Sequence, residues 1–275
     1  MDNFLIDLVT NVQHALAEDI GNGDINVKLL TNNIITAKLI SRETAILCGT
    51  AWFEETFNQL DNKTKFDWLV KDTDIINPDQ CLCKITGTAQ TLLTGERTAI
   101  NFIQLLSGTA TETQRYVKMI ADTKTKILDT RKTIPGLRRA QKYAVYCGGG
   151  NNHRMGLYDA FLLKENHIAA AGSIIQAVTA ARNYAPNLPV EVEVETLEQV
   201  KEALDAKAER LLLDNFTLSK LEAAVNIAQG QVELEASGGI TLENIHTIAK
   251  TGVDFISIGA ITKNIQATDF SIRVT

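Results

Sequence analysis

From residue 190 onward the chain repeats one pattern: a short aliphatic run, a polar residue or glycine at its end, then a helical stretch. The runs Val190–Glu195, Arg210–Asp214, Val232–Ser237 and Asp254–Ile258 begin about 20–22 residues apart, the rhythm of βα units in a parallel barrel or open sheet. Lys126–Asp129 and Ala160–Lys164 extend the series backward. Six such strands fall short of a complete (β/α)8 barrel, and Asp269–Val274 is a candidate for one more. Between strands, Leu218, Leu221, Ala224, Val225 and Ala228 share one helical face.

Before residue 110 the pattern is different. Ile34–Ile40, Lys65–Val70, Cys81–Ile85 and Thr88–Leu92 alternate between turn residues, as antiparallel strands do. A mostly buried helix is expected from about Gly95 to Leu106, with Gly108 as its stop. The chain therefore divides into an N-terminal domain, 1–110, and a β/α domain, 111–275.

Hydrophobic residues make up 45% and charged ones 22% of the 275, enough for a large core and against wholesale disorder. The net charge of −6 argues against nucleic acid or a membrane surface as partner, so an anionic substrate needs a local cationic pocket. Cys48, Cys81, Cys83 and Cys147 read as free thiols of a cytoplasmic protein. Cys81-Leu82-Cys83 lacks the second ligand pair that zinc requires. Met1–Val9 has no basic segment of the signal-peptide kind, and no apolar run is long enough to span a bilayer.

Polar residues gather where the strands end. Asp129 leads into Thr130-Arg131-Lys132-Thr133, Lys164 closes an apolar strand, and Asp214-Asn215, Ser237-Gly238-Gly239 and Gly259 follow three more. This is the end at which α/β folds build sites. Asp129–His167 holds seven Lys/Arg against three Asp/Glu. Arg138, Arg139 and Lys142 read as a solvated helix face, whereas Arg131, Lys132, Arg154 and Lys164 read as an anion site. Lys164, ending an apolar strand, wants an anionic partner. Glu191, Glu193 and Glu195 alternate with valines on one strand face. They form either an acidic solvent edge or, with Asp214, a carboxylate site for Mg2+. Ser237-Gly238-Gly239 precedes an apparent helix start at Ile240–Asn244 and suits a phosphate. Gly148-Gly149-Gly150 lacks dinucleotide-fingerprint spacing and reads as a flexible turn that lets His153 and Arg154 approach a ligand.

Three blocks carry a resemblance: Asp129-Thr-Arg-Lys-Thr-Ile-Pro-Gly-Leu-Arg138, Gly148-Gly-Gly-Asn-Asn-His-Arg154 and Leu163-Lys-Glu-Asn-His167. With Glu18–Asp24, Glu96–Asn101, Glu191–Glu195, Leu213–Asn215 and Glu235–Ile240, the chain resembles the quinolinate phosphoribosyltransferases almost end to end. The resemblance implies an N-terminal α/β sandwich plus an incomplete α/β barrel. It also implies Mg2+ and a homodimer or higher oligomer of dimers.

The implied reaction transfers phosphoribosyl from 5-phosphoribosyl 1-pyrophosphate to quinolinate, with loss of CO2. It yields nicotinate mononucleotide for NAD biosynthesis. By the same resemblance Arg97, Arg131, His153, Arg154 and Lys164 line the quinolinate pocket, with Lys132 and Thr133 beside them. Glu193 and Asp214 face ribose and metal, directly or through water or substrate. Lys132, Lys164, Glu193 and Asp214 are the implied catalytic set. Ser237, Gly238 and Gly239, then Ile258, Gly259 and Ala260, form the phosphate loops, and Arg97 is shared across the dimer interface. Ile261-Thr262-Lys263-Asn264, Asn26 and Thr109 depart from the family's usual residues without removing a charged site position. The alternatives are a ModD-like paralogue, a non-catalytic anion-binding barrel, or a nicotinate or nicotinamide phosphoribosyltransferase.

Overall fold

A computed structural model describes residues 2–275, so Met1 of the N-terminal segment lies outside the described residues. The chain runs through α1 (Leu8–Ile20), β1 (Ile34–Ser41), β2 (Ala45–Ile46), α2 (Thr50–Leu60), β3 (Lys65–Trp68), β4 (Ile75–Ile76), β5 (Cys81–Thr88) and α3 (Ala89–Met119). It continues through β6 (Lys126–Leu128), α4 (Arg138–Cys147), β7 (Phe161–Leu163), α5 (Glu165–Ala171), α6 (Ile174–Tyr184) and β8 (Val190–Val194). Then follow α7 (Leu197–Asp205), β9 (Arg210–Asp214), α8 (Leu218–Ala228), β10 (Glu233–Ser237), α9 (Ile245–Ala249), β11 (Phe255–Ser257), α10 (Ala260–Lys263) and β12 (Phe270–Val274).

Two units result. The first comprises residues up to Gln114, Thr133–Gly149 and Ala260–Thr275; the second comprises Arg115–Lys132 and Gly150–Gly259. A single cut at residue 110 instead falls inside α3.

The first unit is built on an antiparallel sheet ordered β12-β1-β5-β3. Period-two alternation buries Ala37, Leu39 and Ser41 of β1. Ala37 and Leu39 share a core with Leu82 and Ile85 of β5, Phe53 and Phe57 of α2, and Ile100 and Ile103 of α3. Asp269–Val274 does contain a strand, but β12 joins this sheet, running antiparallel to β1 from Ala37↔Val274 to Ser41↔Phe270.

Two expectations fail around α3. Thr88–Leu92 is not a strand: the Thr88 hydroxyl accepts the Thr91 N–H at 3.1 Å, a cap that starts the helix. Nor does Gly108 stop it, since α3 runs 31 residues. Gly108 is there for space, because a Cβ would stand 2.2 Å from the Gln266 carbonyl oxygen.

Lys142 is the third departure. It is 0% exposed rather than solvated. Ala140 through Val145 of α4 are all buried, so Lys142 lies in an enclosed stretch of the helix and not on a solvated face. Arg139 keeps a surface role, its Nε 3.2 Å from Asp7 Oδ2.

The second unit is an incomplete α/β barrel of six parallel strands ordered β6-β11-β10-β9-β8-β7. Asn151 adds a parallel bridge to Leu128. Alternation divides the sheet's faces. Val190, Val192, Val194, Leu211, Leu213 and Ile256 are fully buried on one. On the other, register sets Glu193 beside Leu212 and Leu212 beside Glu235, with Asp214 beside Ser237. The charged residues of β8, β9 and β10 thus share one face.

Replacing a mid-helix glycine by alanine ordinarily adds about 1 kcal/mol of helix stability. Gly108→Ala should instead cost about 1–3 kcal/mol, because overpacking against backbone outweighs that gain. Denaturant unfolding checks this. A stabilised variant would show that the Gln266 segment yields and that the close approach is not obligatory.

Candidate active site

The site begins at the end of β6. Asp129, 0% exposed, accepts the His153 N–H at 2.9 Å through Oδ1 and the Asn152 amide at 2.6 Å through Oδ2. Backbone bonds from Asn151 N–H to the Ile127 carbonyl (2.8 Å) and from Asp129 N–H to the Asn151 carbonyl (3.1 Å) lay the segment beside β6. The sequence Asn151-Asn152-His153-Arg154 is therefore fixed as an extra edge of the sheet. Gly148 is tightly packed rather than a loose hinge: a Cβ would lie 2.3 Å from the Ala110 carbonyl oxygen.

This edge carries two of the candidate side chains, His153 and Arg154. Arg154 donates from Nη1 to the Ala160 carbonyl at 3.2 Å. Burial, and next the Arg131 guanidinium, lower its pKa. Two like charges held together in this way are stabilised by an anion between them. The His153 ring is almost fully committed. Its Nδ1 accepts the Arg154 N–H at 2.7 Å, and its Nε2 lies 2.9 Å from Glu191 Oε2 and 3.6 Å from Glu235 Oε2.

Glu191 and Glu235 lie deep on the charged face, 6% and 0% exposed. Burial raises both carboxyls, Glu191 to about 7 and Glu235 to about 8, the latter also through the Glu191 charge. Two adjacent acids in a dry site favour keeping a proton. Arg210 offsets part of the charge, its Nη1 3.6 Å from Glu235 and its Nη2 2.7 Å from Glu233.

Higher on the same face, Lys164 Nζ bonds Glu193 Oε2. The lysine is 44% exposed and the glutamate 11%. The anionic partner expected for Lys164 is thus supplied by the protein, and the lysine remains open to solvent. Its backbone N–H donates to His167 Nδ1 at 3.0 Å. One strand on, Asp214 accepts the Asn215 amide at 2.7 Å. Asn215 takes a left-handed φ of 54° and donates its N–H to the Ser237 carbonyl at 2.9 Å.

Those contacts shape the glycine loop. Gly238 has φ 95° and sits where a Cβ would meet Asn215 Oδ1 at 2.1 Å, so only glycine fits. No helix begins at Ile240. Asn244 donates to the Gly239 carbonyl at 2.8 Å and accepts the Thr241 N–H at 2.9 Å, and this local ring displaces helix. The five-residue α9 starts only at Ile245. Gly259 is a second close approach. A Cβ there would lie 2.9 Å from Lys132 Cδ, so the lysine stem crosses the glycine. Ile258 donates its N–H to the Leu128 carbonyl at 3.0 Å.

The second unit accordingly carries Arg131, Lys132, His153, Arg154, Lys164, Glu193, Asp214, Ser237, Gly238, Gly239, Ile258 and Gly259. Arg97, Thr133 and Ala260 belong to the first. Arg97 lines a cavity of about 290 Å3 with Asp19, Gly23, Asp24, Leu93 and Thr94. Thr133 accepts from Arg138 Nε at 3.2 Å, and Ala260 opens α10. Glu195 lies just past β8 and is exposed. Sequence reading gave no role to Glu235, Asp129, Asn215 or Asn244. The alternation Glu233-Leu-Glu-Ala-Ser237 was the available signal for Glu235.

Residues 24–107 match the model of the quinolinate phosphoribosyl transferase N-terminal domain, and 109–273 that of the C-terminal domain. The nicotinate-nucleotide pyrophosphorylase [carboxylating] of Mycobacterium leprae is 40% identical, covering 95% of each chain. The structure of the nicotinate-nucleotide pyrophosphorylase from Francisella tularensis is 52% identical with a TM-score of 0.95, covering 98% of this chain and 96% of that one. The Ehrlichia chaffeensis nicotinate-nucleotide pyrophosphorylase structure is 39% identical with a TM-score of 0.92, covering 97% and 98%.

The raised Glu235 carboxyl has a pH signature. In the unfolded chain it loses its proton near 4.5, whereas in the fold it holds it to about 8. Stability contributed by this group is full below pH 4.5 and falls as pH rises toward 8. Glu235→Gln removes that loss, so the variant should gain on the parent by at least about 1 kcal/mol between pH 5 and pH 8. Parallel stability–pH curves for the two proteins, from denaturant unfolding, would mean the carboxyl is not held protonated.

Proposed function

We infer that this chain, which belongs to the quinolinate phosphoribosyltransferase family, is a carboxylating nicotinate-nucleotide pyrophosphorylase, a pentosyltransferase. It transfers phosphoribosyl from 5-phosphoribosyl 1-pyrophosphate to quinolinate, releasing pyrophosphate and CO2 and giving nicotinate mononucleotide for NAD biosynthesis. The observation that carries the reading is the match of both family domains along the chain, in which the charge of Arg131 bears on Arg154 and Lys164 is paired with Glu193. Nothing in the comparisons favours a ModD-like paralogue or a non-catalytic barrel.

Quinolinate bears two adjacent carboxylates, which planar guanidinium groups bind through paired hydrogen bonds. Arg131 and Arg154 take that role, with Lys164 adding the third cation. Ser237, Gly238 and Gly239 offer backbone N–H groups to a phosphate. The Lys132 stem, held against Gly259, carries its ammonium toward the other phosphoryl oxygens. Glu193 favours the oxocarbenium-like ribosyl centre as the C1–O bond breaks. The pyridine nitrogen then bonds C1, and its positive charge stabilises the carbanion left as CO2 departs.

Mg2+ suits two hard carboxylates better than a closed protein cage does, since it retains water and phosphate oxygens. Glu193 and Asp214, each with one oxygen engaged, would hold it through water or substrate oxygens. When bound it would neutralise charge on the departing pyrophosphate. Four free thiols support a cytoplasmic location, and among the described residues no helix is long and apolar enough to cross a membrane.

Mass spectrometry of quinolinate, phosphoribosyl pyrophosphate and Mg2+ incubated with the protein should show nicotinate mononucleotide and CO2, with little product when Mg2+ is withheld. Product from nicotinate but not quinolinate would reverse the assignment.

Arg97 belongs to the first unit and Lys164 to the second, and family resemblance implies a dimer in which Arg97 serves the partner's site. Arg97→Ala and Lys164→Ala should each be nearly inactive. Refolded together, about half the dimers are mixed, and each has one intact site. Activity should then recover toward roughly a quarter of the parent's. Mixed dimers shown to form yet remain inactive would place Arg97 in its own chain's site.

A further inference from the structure

Both ring nitrogens of His153 are spent inside the protein. Nδ1 accepts the Arg154 N–H at 2.7 Å, so it carries no proton, and the ring proton sits on Nε2, directed at Glu191 Oε2 2.9 Å away. Glu235 Oε2 stands behind at 3.6 Å. The His153 side chain is 9% exposed. A ring so placed has no nitrogen left for a substrate carboxylate. What it does have is a grip on the backbone of Arg154. That residue is otherwise tethered by one guanidinium bond, to the Ala160 carbonyl at 3.2 Å.

The far end of this chain is fixed as firmly. Glu191 is the second residue of β8, paired in register with Arg210. Glu235 lies in the middle of β10, beside Leu212 of β9 and Phe255 of β11. Arg210 braces Glu235 from below at 3.6 Å and is itself stacked 4.2 Å over the Phe255 ring. Three strands of the barrel therefore converge on one imidazole, and that imidazole on one arginine.

We propose that Glu191 and Glu235 are positioning residues for quinolinate. They clamp His153 in the Nε2–H form so that Arg154 meets a substrate carboxylate, and His153 itself does not touch the substrate. The proposal rests on the function inferred above and reassigns His153 from contact to support. A rigid supporting shell is what holds a binding group within about 0.5 Å of its productive place.

Steady-state kinetics of the full-length enzyme test it. Glu191→Ala removes the acceptor for the ring proton and should raise KM for quinolinate about tenfold, the scale of one hydrogen bond whose buried donor is left unpaired. KM for phosphoribosyl pyrophosphate should change less than about twofold by the same reasoning. Glu191→Gln keeps an acceptor oxygen and should restore most of the loss. Equal rises in both KM values, or no rise, would overturn the positioning role. An inactive parent would instead refute the assigned reaction, so the two failures are distinct. If Glu191→Ala does not fold, nitrogen-15 NMR of the parent decides. The His153 resonances should show bare Nδ1 and protonated Nε2, unchanged on saturation with quinolinate. A ring nitrogen that shifts to a direct contact with the substrate would contradict the proposal.

Discussion

Charge on the face of a parallel sheet is the constraint on which the second unit depends. Such sheets ordinarily bury both faces under apolar cover, and their strands read as continuous aliphatic runs. Here β8 alternates valine with glutamate, and β9 and β10 place Arg210, Asp214, Glu233 and Glu235 on the same face as those glutamates. A carboxylate in that position must be paired, protonated or hydrogen-bonded to be tolerated. Each acid shows one of these solutions. Glu193 is paired with Lys164, Glu233 with Arg210, and Glu191 and Glu235 hold their protons to neutral pH beside His153.

The same constraint explains how an acidic protein binds polyanions. The cations follow the C-terminal ends of the strands, and two of them are braced by an acid or a backbone carbonyl. Lys164 stands on Glu193, and Arg154 on the Ala160 carbonyl and, through His153, on Glu191. Bracing fixes where the cations point and lowers the entropy lost when substrate arrives. In the proposed reaction the anionic oxygens of substrate would compete with Glu193 for Lys164, and Mg2+ would compete with Lys164 for Glu193. In this account, charge exchange between Lys164–Glu193 and the incoming anions accompanies binding.

Much of this was legible in the chain because two periodicities are strong. Short aliphatic runs, the last four of them 20–22 residues apart, located all six parallel strands to within two residues, and polar residues at their ends pointed to the candidate cations. What escaped depends on contacts distant in sequence. Gly108 looked like a helix stop because its packing partner, Gln266, lies far along the chain. Lys142 looked solvated because its spacing from Arg138 is helical, yet Ala140 through Val145 of α4 are all buried. β12 continued the barrel's rhythm but pairs with β1. The helix expected after Gly239 gave way to two hydrogen bonds of Asn244. Glu235 was passed over because the alternation Glu233-Leu-Glu-Ala-Ser237 puts it on a polar face without saying what it meets there, which only the strand register settles.

The most direct test is a crystal structure of the enzyme with quinolinate bound. The account predicts one substrate carboxylate between the Arg131 and Arg154 guanidinium groups and the other within reach of Lys164, at the C-terminal end of the parallel strands. The His153 ring should keep its contacts to Glu191 and to the Arg154 N–H. Quinolinate seated away from both arginines, or bound directly to His153, would contradict it.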